Sequence, residues 1–435
     1  MDCMKKFARY VSLNILGMLG ISCYILADTY FIAQWLGADG IAALNLVIPV
    51  YNLINGLGLL FGIGGAAKYI IYRNCKENQQ ADKVFTHTLY LCILSGCFLI
   101  LAGIFFPDQI VGLLGADAQT FEMSRIYLKI LLIFSPLFIL NQILLCFVRN
   151  DGAPERTMIA MLAGSFSNII LDYLFIFVLN LGMMGAVLAT CCSPVISILI
   201  LMPFFLKKQN HFHAVFTKIN VQNIRTILSL GGSSFIAELS NGIVIFALNI
   251  LILKIAGNTG VAAYAIVANV SLVVTCIWTG TAQGMQPLVS ESYAQNKSPM
   301  KYYRYACVTV ISLFFLIYSI IFLLADPIAE LFNKEQNTLL QEYAVQGMRY
   351  YFTGAVFAGL NILAAMLLSA TENPIQSNSI SLLRGLFIMI PAAWILSGFF
   401  GMTGLWLAYP VTELLTFGIS LVFTKKAVNF PEKVS

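Results

Sequence analysis

Charged residues are scarce in this sequence of 435 residues, where Asp, Glu, Lys and Arg together make up 10%. A soluble protein of this length needs a polar surface that so few charges cannot cover. Hydrophobic residues make up 59%, and the mean hydropathy is +0.84. This composition excludes an ordinary soluble domain and indicates an integral membrane protein.

Motifs of nucleotide-driven pumps and hydrolytic enzymes are also missing. The sequence has no GxxxxGK[ST] phosphate loop and no HExxH motif, and its three histidines are His87, His211 and His213. ATP hydrolysis, zinc chemistry and a Ser/His catalytic set are therefore not supported. We expect a protein that is not an enzyme, has no cofactor and is driven by an ion gradient or by its substrate's own gradient.

Long hydrophobic runs make up most of the chain. A helix needs about 20 apolar residues to cross a hydrocarbon core of about 30 Å. We predict an all-α membrane protein, and we expect its first span to be retained because it is too long for the core of a signal peptide. The twelve predicted spans lie near 8–35, 42–71, 84–106, 123–147, 157–179, 183–206, 224–254, 260–290, 303–324, 344–370, 377–397 and 402–424.

Basic residues are distributed unevenly between the loops at the two ends of these spans. The loops opposite the N-terminus contain Lys254 and Lys334 together with acids such as Asp39 and Asp108. Both termini are cytoplasmic under the positive-inside bias, and the net charge of +5 then needs no nucleic-acid partner. The eighteen basic residues on the N-terminal side are Lys5, Lys6, Arg9, Arg73, Lys76, Lys83, Arg149, Arg156, Lys207, Lys208, Lys218, Arg225, Lys297, Lys301, Arg304, Lys425, Lys426 and Lys433.

The sequence contains an internal repeat with a shift of about 220 residues. LGADGIAAL at 36–44 resembles AGNTGVAAY at 256–264, and LGMMGAVLA at 181–189 resembles FGMTGLWLA at 400–408. A nearly constant shift at separate places indicates duplication of a six-span unit. The same shift pairs Gly64 with Gly284, Asn141 with Asn361 and Pro154 with Pro374.

The repeat predicts a first half at 1–208, a cytoplasmic linker at 209–222 and a second half at 223–435. An even number of spans gives both copies the same orientation. We therefore expect two six-helix lobes, related by a pseudo-two-fold axis along the membrane normal, around a central cavity with alternating access. The linker histidines His211 and His213 are expected to be solvated rather than metal ligands.

Ionisable side chains inside the spans need a reason, because a charge near the membrane centre costs a few kcal/mol. Asn168 and Asp172 are four residues apart and share one helix face. Their oxygens, the hydroxyl of Thr190 and a second carboxylate from Asp28 suit Na⁺ or a transferable proton. Like charges at one site repel each other, which favours binding of a cation between them. We predict a cation-binding site formed by these four residues.

The alternative for these acids is a role in helix packing alone. Asn or Ser would serve packing at lower cost. The positions 220 residues after Asp28 and Asn168 are Leu248 and Ile388. The cation site is therefore predicted in the first lobe only.

Other polar residues inside the spans are candidates for a substrate cavity. Glu238, Asn241 and Asn249 lie along one stripe of the seventh span. Arg384 either pairs with an acid or extends toward the cytoplasmic membrane surface. Glu413, deep in the last span, has no role that the sequence indicates.

Four segments resemble the MATE (multidrug and toxic compound extrusion) family of cation antiporters, especially its MepA-like branch. They are ADTYFIAQWLG at 27–37, RNDGAPERTM at 149–158, SFSNIILDYLFIF at 165–177 and GTAQGMQPLVSESYAQ at 280–295. The resemblance extends over nearly the whole chain. It implies a multidrug efflux transporter of the bacterial plasma membrane, which exports lipophilic organic cations in exchange for Na⁺ or H⁺.

The resemblance also implies site residues. In the family, the first-lobe site has an Asp on helix 1, an Asn and an Asp four apart on helix 5 and a Thr on helix 6. These positions match Asp28, Asn168, Asp172 and Thr190. The NorM-like branch uses acids on helices 7 and 10 of the second lobe; Glu238 resembles the first, but 350–370 contains no acid. A second-lobe Na⁺ site is therefore not implied.

Two other functions remain as alternatives. A lipid-linked precursor flippase of the same superfamily would present several cationic residues to a pyrophosphate headgroup, whereas the charges inside the spans are mainly acidic, with Arg384 as an exception. A channel would need a symmetric filter or pore ring, which one duplicated chain does not suggest. We expect a monomer whose partners are the lipid bilayer and small organic cations.

Overall fold

The structure, a computed structural model, describes residues 3–333 and 336–428, and the regular elements in these ranges are helices. Lys334 and Lys433, which belong to the loop charges above, lie outside the described residues. Short π-helical segments follow α5 (173–178) and α12 (383–387), and a 3₁₀ turn precedes α11. The α-helices are α1 (Cys3–Asn74), α2 (Asn78–Phe105), α3 (Pro107–Leu113), α4 (Phe121–Asn150), α5 (Pro154–Asp172), α6 (Gly182–Leu206), α7 (Val221–Ala294), α8 (Met300–Leu323), α9 (Ala325–Phe332), α10 (Thr338–Tyr351), α11 (Ala355–Ala370), α12 (Pro374–Leu382) and α13 (Met389–Val428).

Ten helical runs among the described residues are long and apolar enough to cross a membrane. Two of them, Val221–Ala294 with 74 residues and Pro374–Lys426 with 53, are too long for one crossing at about 1.5 Å per residue. Each leaves helical geometry at one glycine, Gly257 or Gly401. Each therefore provides two spans, which confirms the predicted all-α architecture with twelve spans.

The glycines matched by the repeat have the same backbone conformation. Gly37 has φ 62° and ψ −150°, and its partner Gly257 has φ 63° and ψ −159°. Gly182 and Gly401 are likewise paired by the repeat, with φ 56° and 58°. Positive φ of this kind is open to glycine at little cost. The repeat in the sequence is thus also a repeat of the turns between spans.

Packing divides the chain into two compact units. The N-terminal unit is Leu16–Leu239, and the C-terminal unit combines Met1–Ile15 with Ser240–Ser435. The predicted halves at 1–208 and 223–435, with their linker, stay a prediction.

The segment after α6 packs against the N-terminal unit. Phe212 is 1% exposed and contacts the ring of Phe85, with ring centroids 4.7 Å apart. The backbone N–H of His211 donates to Asp151 Oδ2 at 2.8 Å. The side chains of His211 and His213 are 57% and 62% exposed. The segment is therefore held by an aromatic anchor and carboxylate hydrogen bonds, while both histidine rings face solvent.

Glycine allows two helices of the N-terminal unit to cross at close range. A Cβ on Gly64 of α1 would lie 2.0 Å from the carbonyl oxygen of Ile227 of α7. A Cβ on Gly231 would lie 1.9 Å from the carbonyl oxygen of Leu60. Backbone atoms occupy these positions, so any side chain would force the helices apart.

Candidate cation site

The four residues of the predicted cation site lie in the N-terminal unit and are buried. Asp28 is on α1, Asn168 and Asp172 are on α5, and Thr190 is on α6. Their exposed fractions are 7%, 0%, 0% and 3%. Three helices therefore bring polar side chains from distant parts of the chain into one buried region.

Asn168 links the two helices that carry the acid and the hydroxyl. One orientation of its amide forms hydrogen bonds to both helices. In this orientation Nδ2 donates to Asp172 Oδ2 at 3.1 Å, and Oδ1 accepts from the backbone N–H of Thr190 at 3.2 Å. Both ends of the amide are then used. In this orientation Asn168 joins the Asp172 carboxylate to the backbone of α6. Its role as a cation ligand stays a prediction.

Each of the two acids retains one buried oxygen without a hydrogen-bond partner, Asp28 Oδ1 and Asp172 Oδ1. The charge of Asp28 also acts on Asp172, which shows that the two carboxyl groups are electrostatic neighbours. Leaving such oxygens without a partner costs free energy, about 1–3 kcal/mol or more for a charged group. A proton or a cation at this position would supply the missing partner.

A tyrosine that the sequence analysis did not single out completes this region. The hydroxyl of Tyr127, on α4, interacts electrostatically with Asp28 and with the side chain of Thr190. Thr190 Oγ1 donates to the carbonyl oxygen of Ala186 at 3.1 Å. Tyr127 is 4% exposed. It therefore belongs to the buried polar cluster and not to the membrane surface.

Two further tyrosines extend the cluster along α1. The hydroxyls of Tyr24 and Tyr51 are 2.6 Å apart, and Asp28 acts electrostatically on both. Tyr51 also interacts with Asn55 and with the charge of Glu238. The Tyr24–Tyr51 pair is thus close enough to Asp28 for an electrostatic effect, and Tyr51 also to the substrate-cavity candidate Glu238.

The position of Tyr24 near the site could have been predicted from its spacing in the sequence. It precedes Asp28 by four residues and therefore shares its helix face. No sequence spacing identifies Tyr127, because Asp28 and Thr190 are on other helices and far from it in the sequence. Helix packing alone brings Tyr127 to the site.

The local backbone changes directly after Asp172. The chain continues from α5 into a π-helical segment, Tyr173–Val178. Single π-helical turns inside α-helices are rare and frequently lie at functional sites. The change of helical period re-aims the side chains that follow the acid without ending the span.

The remaining candidates lie in the C-terminal unit. Asn241 is exposed and Asn249 is half-buried. Arg384 pairs with an acid, the first of the two options above, because its Nη2 lies 2.6 Å from Oε1 of Glu413. Glu413, which had no assigned role, is 2% exposed. Arg384 is therefore a neutralised cation inside a helix bundle and not a side chain extended to the membrane surface.

The oxygen atoms at the candidate site bear on the choice of coupling ion. Hard metal cations such as Mg²⁺ and Ca²⁺ take about six or more oxygens. The Asn168 amide is engaged at both ends, so Asp28 Oδ1 and Asp172 Oδ1 are the protein oxygens at this cluster shown to lack partners. Among the described residues, no group of three or more His, Cys, Asp or Glu is arranged to hold a metal ion. A carboxyl oxygen without a partner can take up a proton.

Twelve spans define a multi-pass membrane protein, and its N-terminal unit buries the two acids Asp28 and Asp172. The MatE family model matches residues 14–174 and again residues 234–395. The two matches begin 220 residues apart, which is the shift of the internal repeat. This chain belongs to the MatE family.

Curated relatives and solved structures agree with this assignment. The chain is 30% identical over 404 residues to the multidrug export protein MepA of Staphylococcus aureus strain MSSA476, which covers 92% of this chain and 89% of the relative. It is 28% identical to MepA of Staphylococcus saprophyticus over 90% of this chain and 86% of the relative. A structure described as the outward-facing conformation of a multidrug resistance MATE family transporter aligns with a TM-score of 0.92 and 22% identity, over 98% of this chain and 95% of that one. The last comparison supports the fold.

Proposed function

We propose that this protein is a secondary active multidrug efflux transporter that exports lipophilic organic cations in exchange for protons. Its relatives named as multidrug export proteins support the substrate class. The observation that carries the coupling mechanism is the pair of buried carboxyl oxygens, Asp28 Oδ1 and Asp172 Oδ1, that lack partners. The proposal places the protein in a bacterial plasma membrane with both termini cytoplasmic, without enzymatic activity or a nucleic-acid partner.

The proposed mechanism follows from the charge state of the two acids. A proton shared by Asp28 and Asp172 removes their repulsion and satisfies a buried oxygen. Loss of the proton leaves two like charges on α1 and α5, which favours a shift of α1 away from α5. An organic cation and a proton then stabilise different charge states of the same unit, and one is exchanged for the other.

The polar groups around the acids have distinct roles in this scheme. Asn168 holds Asp172 in place through its hydrogen bond. Tyr24 and Tyr51 connect Asp28 to Glu238, which provides a carboxylate for the organic cation. Aromatic side chains attract organic cations through their ring faces, so this route suits lipophilic cationic compounds.

Efflux from proteoliposomes tests the coupling ion. The purified protein exports a fluorescent lipophilic cation such as ethidium under an imposed pH gradient without Na⁺. A Na⁺ gradient at equal pH on both sides gives no such efflux. Efflux driven by the Na⁺ gradient alone would contradict proton coupling and favour Na⁺ as the exchanged ion.

The alternative function, a lipid-linked precursor flippase, has less support from the charged side chains inside the spans. A pyrophosphate headgroup needs cationic side chains that are free to bind it. Arg384, the arginine on which that alternative rested, is engaged by Glu413 at 2.6 Å. The ion pair therefore argues against a flippase.

A further inference from the structure

The C-terminal unit contains a buried carboxylate whose hydrogen-bonding capacity is filled from within the protein. Oε1 of Glu413 accepts from Arg384 Nη2 at 2.6 Å and from Nε at 3.1 Å. Oε2 accepts from Arg384 Nε at 3.2 Å and from Asn361 Nδ2 at 2.8 Å. The side chains of Arg384 and Glu413 are 17% and 3% exposed. An arginine that contacts both oxygens of a carboxylate is among the strongest ionic contacts in proteins.

Further contacts hold this pair in place. Asn361 Nδ2 also donates to the backbone carbonyl of Glu413 at 2.9 Å, and Ser420 donates to Asn361 Oδ1 at 2.8 Å. The charges of the pair act on Tyr409, whose ring stacks on Tyr351 with centroids 4.0 Å apart. A buried ion pair is favourable only when such additional hydrogen bonds satisfy both ions. The carboxylate of Glu413 meets that condition, since Arg384 and Asn361 both donate to it.

The repeat shows that the ion pair belongs to one unit only. The shift of 220 residues that pairs Pro154 with Pro374 places Arg384 opposite Gly164. The shift of 219 that pairs Gly182 with Gly401 places Glu413 opposite Pro194. Gly164 packs closely against this part of α6, because a Cβ on Gly164 would lie 3.0 Å from the carbonyl oxygen of Ser193, the residue before Pro194. The corresponding place in the N-terminal unit therefore has neither charge.

We propose that Arg384 is a permanent internal cation that fills the carboxylate site of the C-terminal unit and so confines exchange of external cations to the acids of the N-terminal unit. The guanidinium gives Glu413 the charge compensation that a proton or Na⁺ gives to Asp28 and Asp172. Because it is covalently attached, it cannot be released into solution. Arg384 is thus a residue that determines ion specificity by acting through Glu413.

This inference deepens the proposed function, and its test measures ion binding rather than transport. The background is the full chain with Asp28→Asn and Asp172→Asn, which removes the acids of the N-terminal unit. In that background Arg384→Gln is compared with the double change Arg384→Gln and Glu413→Gln. The readouts are the thermal unfolding midpoint in detergent, in mildly acidic and mildly alkaline buffer with and without Na⁺, and binding of radiolabelled Na⁺.

Arg384→Gln leaves a buried carboxylate that must take a proton or Na⁺ from solution. Its unfolding midpoint therefore rises on acidification or on addition of Na⁺. The variant with Gln at both positions shows no such rise, and Arg384→Lys, which keeps the internal charge, behaves like its background. Equal responses of the single and double variants would overturn the proposal. Failure of Arg384→Gln to fold in acidic buffer with Na⁺, where the double variant folds, would also overturn it, since no external cation could then replace the arginine.

A failed result here is distinguishable from failure of the proposed function. The binding test uses no drug and no gradient, and it contains neither Asp28 nor Asp172. Loss of the predicted response concerns Arg384 and Glu413 alone. Loss of proton-driven efflux in the wild-type protein concerns the N-terminal unit alone.

Discussion

In the N-terminal unit, Asp28 and Asp172 each bury a carboxyl oxygen that has no partner, whereas in the C-terminal unit both oxygens of Glu413 have partners. The internal repeat relates most of one unit to most of the other, yet these buried charges fall at positions where the repeat partner is uncharged. Position 248, which corresponds to Asp28, is a leucine that is 3% exposed. The comparison shows that the two units carry their buried charges at different positions of the repeat and with different hydrogen-bond partners.

Both units also place a π-helical segment beside their charged residue. In the N-terminal unit it starts directly after Asp172, and in the C-terminal unit it contains Arg384. The repeat does not relate the two segments, because they begin 19 and 9 residues after the paired prolines Pro154 and Pro374. Each copy has therefore adjusted its helix at its own charged site.

The largest expected effect comes from Asp172→Asn. The substitution removes the charge that the exchanged proton neutralises, so proton-driven efflux from proteoliposomes is abolished while the protein still folds. Asp39→Asn, which changes an exposed acid of the same unit, serves as the matched control and retains efflux. Efflux at the wild-type rate by the Asp172 variant would contradict proton exchange at the acids of the N-terminal unit.

Removing one acid from each unit is expected to have different effects on stability, because Glu413 pairs with an opposite charge and Asp172 lies near a like charge. Glu413→Gln leaves the buried guanidinium of Arg384 without its counter-ion and costs about 3–5 kcal/mol. Asp172→Asn removes one of two neighbouring like charges and leaves the unfolding midpoint unchanged or raises it. The midpoint in detergent measures both, with Glu330→Gln, an exposed acid of the C-terminal unit, as control. A drop of equal size for both variants would contradict the comparison.

Glycines paired by the repeat provide a test of packing. A Cβ on Gly64 would lie 2.0 Å from a backbone oxygen, whereas a Cβ on Gly284 would lie 2.8 Å from the Cα of Val11. Gly64→Ala therefore lowers folded yield and the unfolding midpoint more than Gly284→Ala does. Gly112→Ala, where no atom lies within 4 Å of the added carbon, is the control. A larger loss of stability for Gly284→Ala than for Gly64→Ala would show that the helix crossing at Gly64 is not the tighter of the two.

The smallest effect is expected from Tyr127→Phe. Loss of one hydroxyl from the buried polar cluster around Asp28 removes a polar interaction of about 1 kcal/mol, which corresponds to about fivefold in the rate of proton-driven efflux. Tyr173→Phe, which alters a tyrosine that is 57% exposed, leaves the rate unchanged. Equal rates for the Tyr127 variant and the wild-type protein would remove Tyr127 from the coupling site.

The sequence predicted the parts of this molecule that depend on local spacing. Hydrophobic length gave the spans, and the repeat matched Gly37 to Gly257, which share one backbone conformation. The four-residue spacing of Asn168 and Asp172, together with the family resemblance, predicted residues that the structure places in one buried region. Their role in cation binding stays a prediction.

The contacts that the sequence could not supply join residues on different helices. Tyr127 reaches Thr190 from another helix, and Arg384 pairs with Glu413, 29 residues later. Such pairs depend on helix rotation and on π-helical turns, which change the face that a residue presents. The orientation of the Asn168 amide was also hidden, because it depends on a backbone N–H of α6.

Proton release from purified protein on addition of ethidium, followed in weak buffer with a pH indicator, tests the central claim most directly. The wild-type protein is expected to release a proton for each ethidium bound, and the Asp28→Asn, Asp172→Asn variant to release none. Undiminished proton release by that variant would contradict the assignment of the exchanged proton to these two acids.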